Sequence, residues 1–118
     1  MTDSPVLVVV NDLFFRAKVI DAAKRAGRLI RFAQTLDEAI DKASGAGLIV
    51  LDLNCREFDT VELVRRLKAD ESLRAIHTLG FLSHVQEGRK REALDAGCDL
   101  VVARSVFSDR TVALLRSE

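Results

Sequence analysis

The sequence has no tryptophan, no tyrosine, one proline and two cysteines in 118 residues, and its 18 Lys and Arg are cancelled by 18 Asp and Glu. Each shortage excludes something. Without a net basic charge the chain lacks the electrostatic footprint that a phosphate backbone requires. With six Phe as its aromatic side chains it offers few platforms for stacked bases, so nucleic acid is not expected as a direct partner. The longest apolar runs, Val6–Val10 and Leu48–Leu51, are too short to cross a bilayer, so no membrane role is expected. Met1-Thr2-Asp3-Ser4-Pro5 has neither a basic stretch nor a long apolar one. That predicts no signal peptide and a cytoplasmic location. Cys55 and Cys98 form no Cys-x-x-Cys pair and read as reduced packing thiols.

What the chain does have is a folded protein's balance, with 48% apolar and 31% charged residues. The length suits one domain spanning residues 1–118, large enough to fold without disulfides or a metal. Short apolar runs alternate with helical patterns. Val6–Val10 is a β-branched run of the kind buried on both faces of a sheet. Residues 13–26 place Phe15, Val19, Ala22, Ala23 and Ala26 at helical spacing, and Gly27 is placed to cap them. Leu29–Phe32 is a second strand, whose Arg31 suits an edge. Thr35 and Glu38 form a capping box ahead of the Leu36, Ala39, Ile40, Ala43 stripe.

Leu48–Leu51 is a third strand, followed at once by Asp52. Residues 57–69 carry Phe58, Val61, Val64 and Leu67 on one helical face. His77–Leu82 is a fourth strand with Gly80 as a weak point inside it. Residues 85–96 make a charged helix, Leu100–Ala103 a fifth strand, and Ser108 is placed to cap a short last helix. Five strand–helix units predict an α/β fold, a doubly wound parallel sheet with helices on both faces.

Ligands of such sheets sit beyond the carboxyl ends of the strands, where the strand order reverses. The polar residues at those ends are Asn11 and Asp12, Asp52 and Asn54, Ser83, and Arg104 with Ser105. If the order is 2-1-3-4-5, the first and third strands are neighbours and Asp12 and Asp52 converge in one shallow pocket. Two close carboxylates repel unless a cation sits between them. The sequence offers two candidates, a divalent ion and Arg104. Mg²⁺ suits an oxygen-only donor set with one or two carboxylates. Beside it, an Asp carboxylate can attack a phosphoryl donor to give an aspartyl phosphate, with Ser83 and Arg104 holding the phosphoryl oxygens. Taken singly, each of these residues is more commonly a turn or cap residue, and it is their joint position at four strand ends that singles them out.

On these residues the chain resembles the receiver domains of bacterial response regulators. The resemblance covers about residues 5–116 and is densest in two segments. Leu48-Ile-Val-Leu-Asp52-Leu-Asn54, with Asp59 beyond it, looks like the strand that carries the phosphoacceptor aspartate. Ala93-Leu-Asp-Ala-Gly97-Cys-Asp99-Leu-Val-Val is similar to the family's Gly-Ala-Asp stretch. The resemblance implies a flavodoxin-like sheet of order 2-1-3-4-5 and a binding and switching role in two-component signalling rather than an enzyme's. Asp52 is then the phosphoacceptor. Mg²⁺ is held by Asp12, Asp52 and the Asn54 carbonyl, and Ser83 contacts the phosphoryl group.

A histidine kinase or another phosphodonor is the implied partner upstream. A downstream protein would meet the face formed by the fourth helix, fifth strand and last helix, and homodimerisation stays open. Four positions depart from the pattern. Asn11 replaces the first of two paired acids, Arg104 a lysine, Ser105 the proline after it, and Val101 an aromatic residue on the last strand. Arg is permanently charged and planar, so that exchange is not conservative. These departures admit a second expectation, a pseudo-receiver that is not phosphorylated and binds partners in one conformation, with Arg104 compensating the acidic pocket.

The remaining polar residues read as ordinary. His77 and His84 have no Cys or carboxylate at a metal-motif spacing. His84 beside Ser83 lacks the third residue of a triad. No phosphate-cradling glycine motif follows the first strand, which leaves a small flavodoxin-like ligand binder as a third and weaker option. Arg89-Lys90-Arg91 reads as a solvated helix face.

Overall fold

A computed structural model describes residues 4–83 and 87–116. The elements follow the order β1 (Val6–Val9), α1 (Leu13–Ala26), β2 (Ile30–Phe32), α2 (Leu36–Ala43), β3 (Leu48–Asp52), α3 (Thr60–Ala69), β4 (His77–Leu82), α4 (Glu87–Asp95), β5 (Leu100–Ala103), α5 (Arg104–Asp109) and α6 (Thr111–Arg116). The strands form one sheet in the order β2-β1-β3-β4-β5, and every pairing is parallel. This is the flavodoxin-like doubly wound architecture expected from the alternating pattern.

Every residue of β1 and β3 is buried, which is why β1 and the first four residues of β3 read as unbroken apolar runs. Their side chains alternate between two cores. Leu7, Val9, Ile49 and Leu51 pack under α2, α3 and α4 with Ala39, Leu63, Val64, Leu67 and Ala93. Val6, Val8, Leu48 and Val50 pack under α1, α5 and α6 with Phe15, Val19, Phe107 and Leu115. Phe15, Phe81 and Phe107 form a cluster on this second face, with ring centroids 4.9–5.6 Å apart. Arg31 lies on the edge strand β2, and both cysteines are unbridged.

Side chains cap the N-termini of α1, α2 and α3. Thr35 Oγ1 accepts from Glu38 N–H at 3.0 Å, as half of the expected capping box. Gly27 closes α1 in the left-handed region, with φ 70°. α3 begins at Thr60, three residues later than the apolar stripe suggested, because the Asp59 carboxylate caps it at Val61 N–H.

Two readings need correction. Ser108 does not cap the last helix. It lies inside α5, where its hydroxyl accepts from Lys18 Nζ. A residue before proline is pushed out of the helical region. With Ser at 105 instead, helix starts directly at Arg104, and a second short helix follows after Arg110. Gly80 is not a weak point. A Cβ there would lie 2.7 Å from Leu53 Cδ1, so glycine is what lets Leu53 pack onto β4. Among the described residues no helix is long and apolar enough to cross a membrane.

Candidate functional site

The site lies where the sheet reverses its winding, at the carboxyl ends of β1 and β3. Asp12 occupies the N-cap of α1. Its Oδ1 accepts from Phe14 N–H (2.9 Å) and Phe15 N–H (3.2 Å), and its Oδ2 accepts from Arg104 Nη2 at 2.9 Å. The Phe15 N–H and the Arg104 guanidinium hold the Asp12 carboxyl below the usual carboxylate range.

Asp52 ends β3 in line with Leu48 and Val50 and is 8% exposed. Its Oδ1 accepts from Asn54 N–H at 2.8 Å, and its Oδ2 accepts from none of the described residues. Thr60 Oγ1 and Cys55 N–H both donate to its main-chain oxygen, at 2.9 and 3.1 Å. Burial pushes the Asp52 carboxyl up. The Asn54 N–H and the charge of Arg104 pull the other way, while Asp12 and Glu57 add repulsion.

Asn11, Asp12, Asp52 and Asn54 line one open cavity of about 210 Å³, together with Cys55, Arg56 and Glu57. The two acids singled out in the sequence therefore share one notch. Ser83 and Arg104 stand at its margin instead of lining it. Ser83 N–H and Oγ both donate to Asn54 Oδ1, at 2.7 and 3.0 Å. Arg104 rests on aromatic faces, with its guanidinium carbon 4.4 Å from the Phe15 centroid and 6.0 Å from that of Phe81. No peptide bond among the described residues is cis, and Val101 is half-buried against the α2–α4 core.

The donor set fits a hard cation in kind. Three carboxylates (Asp12, Asp52, Glu57) and two amides (Asn11, Asn54) offer oxygen donors to the cavity beside Cys55 and Arg56, and Mg²⁺ takes one or two carboxylates plus waters. Among the described residues no three His, Cys, Asp or Glu side chains group as a metal cage, which leaves a two-carboxylate arrangement. One oxygen of that pair is already engaged by Arg104.

Three features were not anticipated. Glu57 lines the cavity, and its carboxyl is held below its ordinary range first by the Asn11 side chain. Its place in the loop after a strand end was the available signal. Asn11 Oδ1 is buried with no partner among the described residues. Arg89, read as solvated, reaches back from α4 to the loop after β3, whereas Lys90 and Arg91 are exposed. His77 is half-buried at the start of β4, away from these residues, and His84 lies outside the described residues.

No family model matches the sequence, and no curated protein does. Solved structures match over nearly the full length. The chain resembles the chemotaxis response regulator CheY4 of Vibrio cholerae (20% identity, 98% of each chain, TM-score 0.83). It is similar to the phosphorylated cyanobacterial phytochrome response regulator RcpA (16% identity, 98% of this chain and 91% of that one, TM-score 0.82). It also matches the signal receiver domain of a response regulator from Bermanella marisrubri (19% identity, 98% of each chain, TM-score 0.82). At these identities the likeness is one of architecture, and the fold of this chain is that of response-regulator receiver domains.

Proposed function

We propose that this chain is a receiver-type signalling module in which Asp52 accepts a phosphoryl group from a histidine kinase or a small acyl phosphate. The observation that carries the reading is the position of Asp52, with a carboxylate oxygen that no described residue binds and an open cavity before it at the sheet's reversal point. Asp52 attacks phosphorus, an aspartyl P–O bond forms, and the donor's P–N or P–O bond breaks with its electron pair leaving on the donor. A Mg²⁺ ion bound to Asp12, Asp52 and the Asn54 carbonyl would neutralise phosphoryl charge. The charge of Arg104 favours the ionised form of Asp52 against the effect of burial and supplies positive charge at the margin. Ser83 exchanges its bond to Asn54 for a phosphoryl oxygen. The surface of α4, β5 and the last helix, α6, is then the output face, the partner a protein, and the setting the cytoplasm.

One observation favours a second reading. Asp12 already uses Oδ1 in the α1 cap and Oδ2 on Arg104, so this carboxylate has its counter-ion without a metal. On that reading the domain is a pseudo-receiver that binds its partners unphosphorylated. Intact-mass measurement after incubation with acetyl phosphate and Mg²⁺ separates the two. The first reading expects a gain of one phosphoryl group that Asp52→Asn abolishes. An unchanged mass, together with no beryllofluoride-induced perturbation at residues 52–54, overturns it in favour of the second.

A further inference from the structure

α4 is held to the rest of the molecule by unusually little apolar surface. It buries one side chain completely, Ala93, while α3 buries five residues. Leu94 is 42% exposed. Gly88 in its first turn weakens it further as a helix. Something other than apolar burial has to fix its position.

Arg89 supplies it. Its side chain, 24% exposed, crosses from the first turn of α4 to the loop after β3. Nε donates to the Leu53 carbonyl at 2.9 Å, and Nη2 donates to Asp59 Oδ1 at 3.0 Å. Nη1 reaches Glu92 within α4 at 3.4 Å. Asp59 caps α3 with the same Oδ1, so one guanidinium grips both ends of the 53–59 loop.

The Leu53 carbonyl belongs to the same peptide group as the Asn54 N–H, and that N–H is the donor to Asp52 Oδ1 at 2.8 Å. A peptide group is rigid and planar. The carboxylate of Asp52 and the guanidinium of Arg89 therefore hold opposite ends of one plate, and each polarises it in the direction the other favours. Leu53 is pinned behind the plate, with its N–H on the Phe81 carbonyl at 2.9 Å and its side chain over Gly80.

We propose that Arg89 is a positioning residue that latches α4 to the Leu53–Asn54 peptide, so that a change of charge at Asp52 reaches α4 through this plate. The latch stands on the contacts alone, and its use in signalling rests on the phosphoacceptor reading above. A change at Asp52 that weakens its hold on the Asn54 N–H loosens the plate, and Arg89 then holds α4 less firmly.

Hydrogen exchange of the whole chain tests this by mass spectrometry. Arg89→Met keeps the stem and removes the donors, and Asp59→Asn keeps an N-cap and removes the charge. Each is expected to speed exchange in α4 peptides by roughly tenfold, with β1 and β3 peptides unchanged. Arg89→Lys, which cannot span both acceptors, falls between. Asp52→Asn is expected to speed α4 exchange when Arg89 is present and to add nothing in Arg89→Met. An α4 that exchanges as in wild type in both Arg89→Met and Asp59→Asn, or one that responds to Asp52→Asn equally with and without Arg89, overturns the proposal. If Arg89→Met unfolds the sheet as well, Asp59→Asn and Arg89→Lys decide. Adding beryllofluoride with Mg²⁺ separates the two layers. Its effect on α4 should vanish in Arg89→Met, and no effect anywhere in wild type counts against the phosphoacceptor reading while the substitutions still judge the latch.

Discussion

Arg104→Met removes the one cation among the described residues that touches Asp12, while leaving a stem of similar length over Phe15. Two contributions are lost. The ion pair to Asp12 is at 2.9 Å with the partners 31% and 41% exposed, so solvent screening limits it to about 0.5–1 kcal/mol. The stack on Phe15, at 4.4 Å from the ring centroid, contributes about 0.5–1 kcal/mol more. Met recovers part of the packing but none of the electrostatics, so the expected loss is about 1–2 kcal/mol at neutral pH. For a chain of this size that lowers the melting temperature by roughly 3–10 °C.

Denaturant melts of Arg104→Met, Asp12→Asn and the double variant resolve the two parts. Asn still caps α1 but offers no charge. The cycle should give a coupling of about 0.5–1 kcal/mol between residues 12 and 104, with the stacking loss remaining in the Asp12→Asn background. Acid adds a sign test. Asp12 has a depressed carboxyl, so its stabilisation is present above the unfolded carboxylate range and is lost as pH falls through the folded one. The gap between wild type and Arg104→Met should therefore shrink on acidification. A loss that is the same with Asp or Asn at position 12, or one that grows in acid, would refute the ion-pair account.

The other expectations follow from single contacts. Asp52 has a raised carboxyl, so the folded state keeps its proton to higher pH than the unfolded chain, and stability falls as pH rises between the two. Asp52→Asn should thus stabilise the protein at neutral pH, by about 0.5–2 kcal/mol, with the gain disappearing in acid melts. Gly80→Ala sets a methyl 2.7 Å from Leu53 Cδ1 and should cost about 1–3 kcal/mol, read as a lower denaturant midpoint. Ser105→Pro falls in the first turn of α5, where proline is tolerated, but it drives Arg104 out of helical geometry. In that background Arg104→Met should cost little in the same melts.

The sheet was legible because β1 and β3 are buried on both faces, and a strand with no exposed side has no reason to carry a polar residue. The convergence of Asp12 and Asp52 was legible for a related reason. Strand ends are where the apolar run stops, and parallel winding puts all those ends on one rim. Arg104 was expected beside the acidic pocket and reaches Asp12, but the fold-back of Arg89 was concealed. Arg89 sits in a charged run and differs from Lys90 and Arg91 only in what lies opposite it, which is set by the crossing of α4 over the loop after β3. The Ser83 hydroxyl belongs to the pocket by its position at a strand end, yet its bonds go to Asn54, a choice between acceptors that no spacing encodes. Ser108 was misplaced because a missing proline is a weak signal until the backbone it frees can be seen.

The departures at Asn11, Arg104 and Ser105 make sense as one arrangement. With Asn at 11 the notch carries one negative charge fewer than a pair of acids would give it. A permanent cation can then pair with Asp12 without a further acid beside it at position 11. An ammonium could supply that charge, but a guanidinium can keep its carbon 4.4 Å from the Phe15 centroid while Nη2 reaches Asp12. Arg104 does this from the first residue of α5, and Ser105 permits helical geometry at the residue before it. Each substitution alone would cost something, as an unbalanced charge, an unplaced guanidinium or an idle turn. Together they give Asp12 a resident counter-ion, while the Asp52 oxygen turned from Asn54 stays unbound by any described residue. Any cation that binds between the two acids competes with Arg104 for Asp12, and any phosphoryl group arriving at Asp52 meets a positive charge already in place.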